Sequence, residues 1–240
     1  MATRQRFKAS IASRYIAHQT DPNSTPIKLA YAQTATGWAP LPSSFEPPAL
    51  GSLDPNAPRV FAYIGDLDGD NLPEIVLPGG SATGLGRVWK GTSLGFQEIP
   101  DYGPRVPFSR RDKQDRGIRI LDLNADGLPD IVFNREPTDP AADPFAKGAF
   151  INTGKGWLSA PGFTPPLPLA SDHILGNPVQ FVDVDGDGFV DMPYSYRKAN
   201  GDFVRAFFRN EACSLDSTED PNICGEVGGR DIRFNRKWVK

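Results

Sequence analysis

The chain is expected to fold as an all-β protein built from β-propeller blades of about 60 residues each. Three observations carry that expectation. An acidic nine-residue pattern recurs three times at near-constant spacing, starting at Asp66, Asp122 and Asp183. Short runs rich in Val, Ile and Phe flank the copies and are bounded by Gly, Pro, Asn or Asp. Gly and Pro number 24 each in 240 residues, a turn density that suits short strands better than helices. No segment sustains a helical period; the nearest, residues 5–16, is short and reads equally as a strand.

The acidic pattern is taken first. Its copies read Asp66-Leu-Asp68-Gly-Asp70-Asn-Leu72-Pro-Glu74, Asp122-Leu-Asn124-Ala-Asp126-Gly-Leu128-Pro-Asp130 and Asp183-Val-Asp185-Gly-Asp187-Gly-Phe189-Val-Asp191. Side-chain oxygens fall at positions 1, 3, 5 and 9 of every copy. Calcium takes six to eight oxygens at about 2.3–2.6 Å, and a tight loop with carboxylates at alternate positions points several at one centre. The position-7 carbonyls of Leu72, Leu128 and Phe189 are candidates for a further ligand. Position 6 must turn sharply, which suits Gly127, Gly188 and, next best, Asn71. Gly69 and Gly186 loosen position 4, where the second loop has Ala125.

One Asp-Gly run is an ordinary turn; three matched at four positions imply up to three Ca²⁺ sites. The second loop carries three carboxylates and an Asn, so it is expected to bind more weakly. An EF-hand needs a bidentate Glu at position 12, where this chain has Leu77, Phe133 and Tyr194. Strand-like runs lie on both sides instead. Val60–Ile64, Ile118–Leu121 and Val179–Val182 lead in; Ile75–Leu77, Ile131–Phe133 and Met192–Tyr194 lead out.

A second repeat is locked to the first. Leu29 to Trp38, Arg87 to Phe96 and Gly148 to Trp157 each read as a strand, a Gly-containing turn and a bulky residue opening the next strand. The terminal aromatic is expected to fill space between units. A fourth copy, Arg205-Ala-Phe-Phe-Arg-Asn210, departs from the pattern after its strand, and residues 231–238 resemble the lead-in strand at Gly117. The units of this single domain, 1–240, fall at approximately 1–55 (no acidic loop), 56–112, 113–172, 173–227 and 228–240 (partial).

The loop and the Gly-aromatic element together resemble the FG-GAP/VCBS repeat family, the calcium-loop blades of integrin α-subunit heads and many bacterial surface proteins. The run Gly117-Ile-Arg-Ile-Leu-Asp-Leu-Asn-Ala-Asp-Gly-Leu-Pro-Asp130, with Ile151-Asn-Thr-Gly-Lys-Gly-Trp157, is closest in style to propeller segments of bacterial Rhs/insecticidal-toxin-type proteins. The resemblance covers roughly residues 14–235. It implies a non-catalytic scaffold, surface-exposed or secreted, that mediates protein or glycan interaction. Seven blades are usual in that family, so these units are expected to belong to a larger ring whose remaining blades act as partners; a four-bladed ring is the alternative.

Composition narrows the function. Net charge is −3, and a nucleic-acid binder usually shows a clustered basic face. The basic residues Arg105, Arg110, Arg111, Lys113, Arg116 and Arg119 are interrupted by Asp112 and Asp115. No run approaches the ~18–20 apolar residues of a membrane span. No apolar signal region follows Met1, so the start is expected to be trimmed or to lie inside a longer polypeptide. Cys213 and Cys224 share one irregular segment, which suggests a local disulfide and an oxidising compartment.

Enzymatic readings find little support. His18 and His173 stand apart from any Ser or Cys elbow, and Glu46, Glu98 and Glu136 stand alone. The rival reading is a carbohydrate-binding or carbohydrate-active propeller, with Trp89, Tyr102 and Trp238 as exposed aromatics that stack on sugars.

Overall fold

The computed structural model describes residues 31–45, 63–77, 86–92, 94–100, 102–104, 106, 117–135, 147–170, 179–197, 201–213 and 236–240. Among them every element is a strand, apart from 3₁₀ turns at Ser43–Phe45 and Pro161–Phe163. The all-β expectation holds. The described residues show separate antiparallel sheets, without a closed ring among them. Residues 5–16, His18, His173, Glu46, Glu136, Cys224 and all the basic cluster except Arg119 lie outside the described residues.

Strands β1 (Tyr31–Thr34) and β2 (Gly37–Pro40) form a hairpin. β3 (Tyr63–Gly65), β4 (Glu74–Leu77), β5 (Arg87–Thr92) and β6 (Gly95–Ile99) form a four-stranded sheet in chain order. β7 (Ile118–Leu121), β8 (Asp130–Asn134), β9 (Lys147–Asn152) and β10 (Trp157–Ser159) repeat that arrangement. β11 (Met192–Arg197), β12 (Phe203–Ala212) and β13 (Arg236–Val239) form the third sheet. The first two acidic loops connect the first and second strands of their sheets, and the third leads into β11.

The sheets bury their faces against one another. β8 carries Asp-Ile-Val-Phe-Asn and is buried at every residue. Successive side chains of a strand point to opposite faces, and here both faces are covered. Ile131 and Phe133 join Leu67, Val76 and Val88 of the first sheet unit in one core cluster. Val132 joins Met192, Tyr194 and Phe208 of the third sheet in the other. The middle sheet is therefore packed between its two neighbours.

Two sequence expectations need correction. Residues 179–182 do not form a continuous strand; only isolated bridges pair Val179 with Tyr194 and Val182 with Asp191. Between those bridges Gln180 N–H donates to Pro193 O at 3.2 Å. Proline has no N–H to return the bond, so the ladder is interrupted there. The fourth copy of the second repeat, moreover, does not end at Asn210. β13 pairs with β12 and takes the outer position held by β6 and β10 in the other sheets. Trp238 lies opposite Asn210, just as Trp157 lies opposite Asn152 and Phe96 opposite Gly91. Residues 236–239 are thus the last strand of the sheet of β11 and β12, not the lead-in of a further unit.

Trp157 fills space between units, as expected, and Trp238 does so too. Trp157 packs against the first cluster and Trp238 against the second. Each indole N–H donates at 2.9 Å to a backbone carbonyl of the preceding connection, Tyr102 O and Phe163 O respectively. Cys213 is buried and disulfide-bonded. Trp238→Ala should lower the unfolding free energy by about 3 kcal/mol, while Leu94→Ala, at a residue 80% exposed, should shift it by less than about 0.5 kcal/mol. Urea denaturation of the two variants checks the assignment.

Candidate metal centre

Each acidic loop is wound by one set of bonds from backbone amides to its own carboxylates. The position-1 Asp receives the position-6 amide on Oδ2: Asn71, Gly127 and Gly188 donate at 2.7, 2.9 and 3.0 Å. Its Oδ1 receives the position-4 amide in loops 1 and 3, Gly69 and Gly186 at 2.7 Å, and that of Asp126 at 3.2 Å in loop 2. The position-5 Asp receives the amide of position 7, so Leu72, Leu128 and Phe189 donate at 2.8, 2.8 and 2.9 Å. The position-9 carboxylate receives the position-2 amide, from Leu67, Leu123 and Val184 at 2.7, 2.8 and 3.0 Å.

These bonds force two sharp bends. Position 4 has φ of 78°, 57° and 81° at Gly69, Ala125 and Gly186. Position 6 has φ of 67°, 87° and 89° at Asn71, Gly127 and Gly188. The left-handed region costs a residue with a β-carbon roughly 1–2 kcal/mol. Gly and Asn are therefore the residues these bends favour, and Ala125 is strained.

The result is a convergence of oxygens. Asp66, Asp68 and Asp70 bring ligand-type oxygens within 4.8 Å of one another, and so do Asp183, Asp185 and Asp191. These two clusters could hold a metal ion. In loop 2, Asn124 Nδ2 donates to Asp126 Oδ2 at 3.0 Å, so two of its polar side chains satisfy each other. In loop 3, Arg236 Nη2 lies 3.2 Å from Asp187 Oδ2, and its guanidinium stacks 3.4 Å from the Phe189 ring centroid. The strand ladder next to each loop buries Glu74, Asp130 and Asp191 almost completely.

Loop 1 fits a cation on a further ground. Asp68 Oδ1 and Glu74 Oε1 are buried and have no hydrogen-bond partner. A buried carboxylate oxygen left so pays its desolvation cost without return, and such atoms in folded proteins mark a missing water or ion. The side-chain donors are all oxygen, the choice of a hard cation such as Ca²⁺ or Mg²⁺ over thiolate- or imidazole-seeking metals.

Charge on the chain already acts at this place. Lys90 of β5 pairs with Asp68 and, at 2.7 Å, with Asp70 Oδ2. The hydrogen bonds it donates to Asp68 and Asp70 hold its ammonium above the ordinary lysine range. Burial acts upward on Asp70, but the Lys90 ammonium and the Leu72 amide outweigh it and leave the group below its usual value. Burial pushes Glu74 up to about 7, with the Leu67 amide opposing and the charges of Asp68 and Asp70 assisting. Burial likewise pushes Asp130 up to about 8, against the amides of Asn152 and Leu123.

Sequence reasoning missed several residues around the loops. Lys90 and Arg209 occupy matching places in their sheets, each paired with loop carboxylates; in loop 2 that place holds Ile151. Tyr102 is buried, its hydroxyl 2.9 Å from Leu67 O and 2.8 Å from Asn152 Oδ1. Trp89 is also buried, and Trp238 is partly so, which corrects the expectation that these three aromatics are exposed. Glu98 does not stand alone: Arg87 donates to both its oxygens at 2.6 Å. Compared with models of protein families, with curated proteins and with solved structures, the chain matches none of them.

Ala125→Gly should raise stability by about 0.5–1 kcal/mol, the relieved left-handed strain less the greater chain entropy of glycine; equilibrium denaturation in EDTA reads it. The raised carboxyls give a pH dependence. Glu74 and Asp130 titrate higher in the folded metal-free chain than when unfolded. Their contribution is complete below about pH 4 and is lost as pH rises through about 7 to 8. In EDTA the protein should therefore be more stable at pH 5.5 than at pH 8, and the difference should shrink in the Glu74→Gln, Asp130→Asn double variant.

Proposed function

We propose that the chain is a non-catalytic calcium-binding scaffold of FG-GAP/VCBS type, part of a secreted or surface-exposed protein of the adhesin or toxin kind, that presents blades to a protein or glycan ligand. The observation that carries this reading is the common wiring of three acidic loops, with two unpartnered buried carboxylate oxygens at the first. The side chains at positions 1, 3, 5 and 9 supply oxygens, and the carbonyls of Leu72, Leu128 and Phe189 complete the set. Loading loop 1 moves the Lys90 ammonium aside; in loop 2, Asn124 turns its amide oxygen inward. A bound calcium neutralises like charges that otherwise repel and ties the loop to the strand that follows it.

The disulfide at Cys213 agrees with an oxidising compartment, where millimolar calcium fills sites of about 10⁻⁴–10⁻³ M affinity. The carbohydrate alternative has lost its aromatic candidates Trp89 and Tyr102 to the core. A site held at 100 times its dissociation constant adds about 2.7 kcal/mol, a large share of an ordinary domain stability of ~5–15 kcal/mol. Thermal melting in calcium should accordingly lie several degrees above melting in EDTA, and Asp126→Ala and Asp187→Ala should each remove part of the difference. Identical melting curves with and without chelator would count against the scaffold reading.

A further inference from the structure

We infer that Asn152 and Asn210 are positioning residues that couple each acidic loop to the next, so that a cation at one loop raises the affinity of its neighbour. The inference rests on the calcium reading given above. The two asparagines hold the same place in successive sheets, opposite Trp157 and Trp238. Each faces two loops at once. The backbone N–H of Asn152 donates to Asp130 Oδ1 at 2.8 Å, in the loop of its own unit. Its side-chain Nδ2 donates to Leu67 O at 2.7 Å, in the loop of the preceding unit. Asn210 repeats both bonds, its N–H to Asp191 Oδ1 at 3.1 Å and its Nδ2 to Leu123 O at 2.9 Å.

The bonds within the loops join these into one line. Leu67 and Leu123 each carry a peptide whose carbonyl receives an asparagine amide, while the residue's own N–H goes to the position-9 carboxylate. An unbroken path runs from Glu74 through Leu67, Asn152, Asp130, Leu123 and Asn210 to Asp191. Every residue on it is buried, none more than 2% exposed. Hydrogen bonds in such surroundings polarise one another, and breaking one strands a buried partner. A cation that fixes the carboxylate of one loop therefore also fixes the peptide its neighbour depends on.

The amide orientations follow from their other partners. Asn152 Oδ1 receives the Tyr102 hydroxyl and, at 2.9 Å, the Gly154 N–H, which leaves Nδ2 to face Leu67. Asn210 Oδ1 receives Arg236 Nε at 2.9 Å, which leaves Nδ2 to face Leu123. In the sheet of β3 to β6 the matching residue is Gly91, which has no side chain, and the path ends there.

The test uses the full chain and calcium, with amide hydrogen exchange of Leu123 reporting loop 2. Disabling loop 1 with Asp66→Asn and Asp70→Asn should raise the calcium concentration for half-protection of Leu123 by about fivefold or more. In an Asn152→Leu background the same change should shift it by less than about twofold, because the link is already cut. Tyr102 can still donate to Leu67 O in that variant, so no carbonyl is orphaned there. Asn210→Leu, read at the Val184 amide with loop 2 disabled by Asp122→Asn and Asp126→Asn, provides a second, independent cycle. Half-protection of Leu123 that ignores the state of loop 1, or an equal shift with and without Asn152, overturns the coupling alone. A wild-type chain that takes up no calcium in calorimetry overturns the calcium reading and the coupling with it.

Discussion

The arrangement depends on a buried carboxylate at the end of each acidic loop. Glu74, Asp130 and Asp191 open or immediately precede the strand that leaves the loop, and each accepts the amide seven residues earlier. That one bond closes the loop into a ring and fixes where the strand begins. In loops 2 and 3 the other oxygen accepts the amide of Asn152 or Asn210 from the adjacent strand. The loop, the strand after it and the strand beyond are thereby held by a single side chain. A carboxylate in that position is expensive to bury when charged, and the raised proton affinities of Glu74 and Asp130 express the cost. A cation held beside it would offset that cost.

From this fixed point the sheets stack. The middle sheet has no solvent face along β8, because Ile131 and Phe133 serve one core and Val132 the other. Indoles at the outer strands bridge the same two junctions through main-chain carbonyls. Apolar packing supplies the bulk of the attraction between units. The buried asparagine amides set their registration, since a shift of one sheet against another would leave amides and carbonyls unpaired.

Much of this was legible in the chain. Carboxylates at alternate positions with Gly or Asn at the bends mark a tight acidic loop, and its left-handed positions fall on Gly or Asn everywhere but Ala125. The strands that leave each loop, and those that enter the first two, lie on the apolar runs. What could not be read was partnership across strands. Lys90, Asn152, Arg209 and Asn210 act through register, and turns of unequal length hide that register from residue spacing. A signal was present all the same: Phe150-Ile-Asn152 and Phe208-Arg-Asn210 place an asparagine two residues after an aromatic in both units. A long segment separates Trp238 from β12, so its place opposite Asn210 does not show in residue spacing. Pro193 offers no N–H to residue 180, so residues 179–182 pair only through isolated bridges.

The most direct check is diffraction from a crystal of the full chain grown with calcium, with data collected where calcium scatters anomalously. The account predicts peaks enclosed by Asp66, Asp68 and Asp70, by Asp122, Asn124 and Asp126, and by Asp183, Asp185 and Asp187, with oxygens at about 2.3–2.6 Å. Loops that keep their bends at saturating calcium yet show no peak inside them would contradict it.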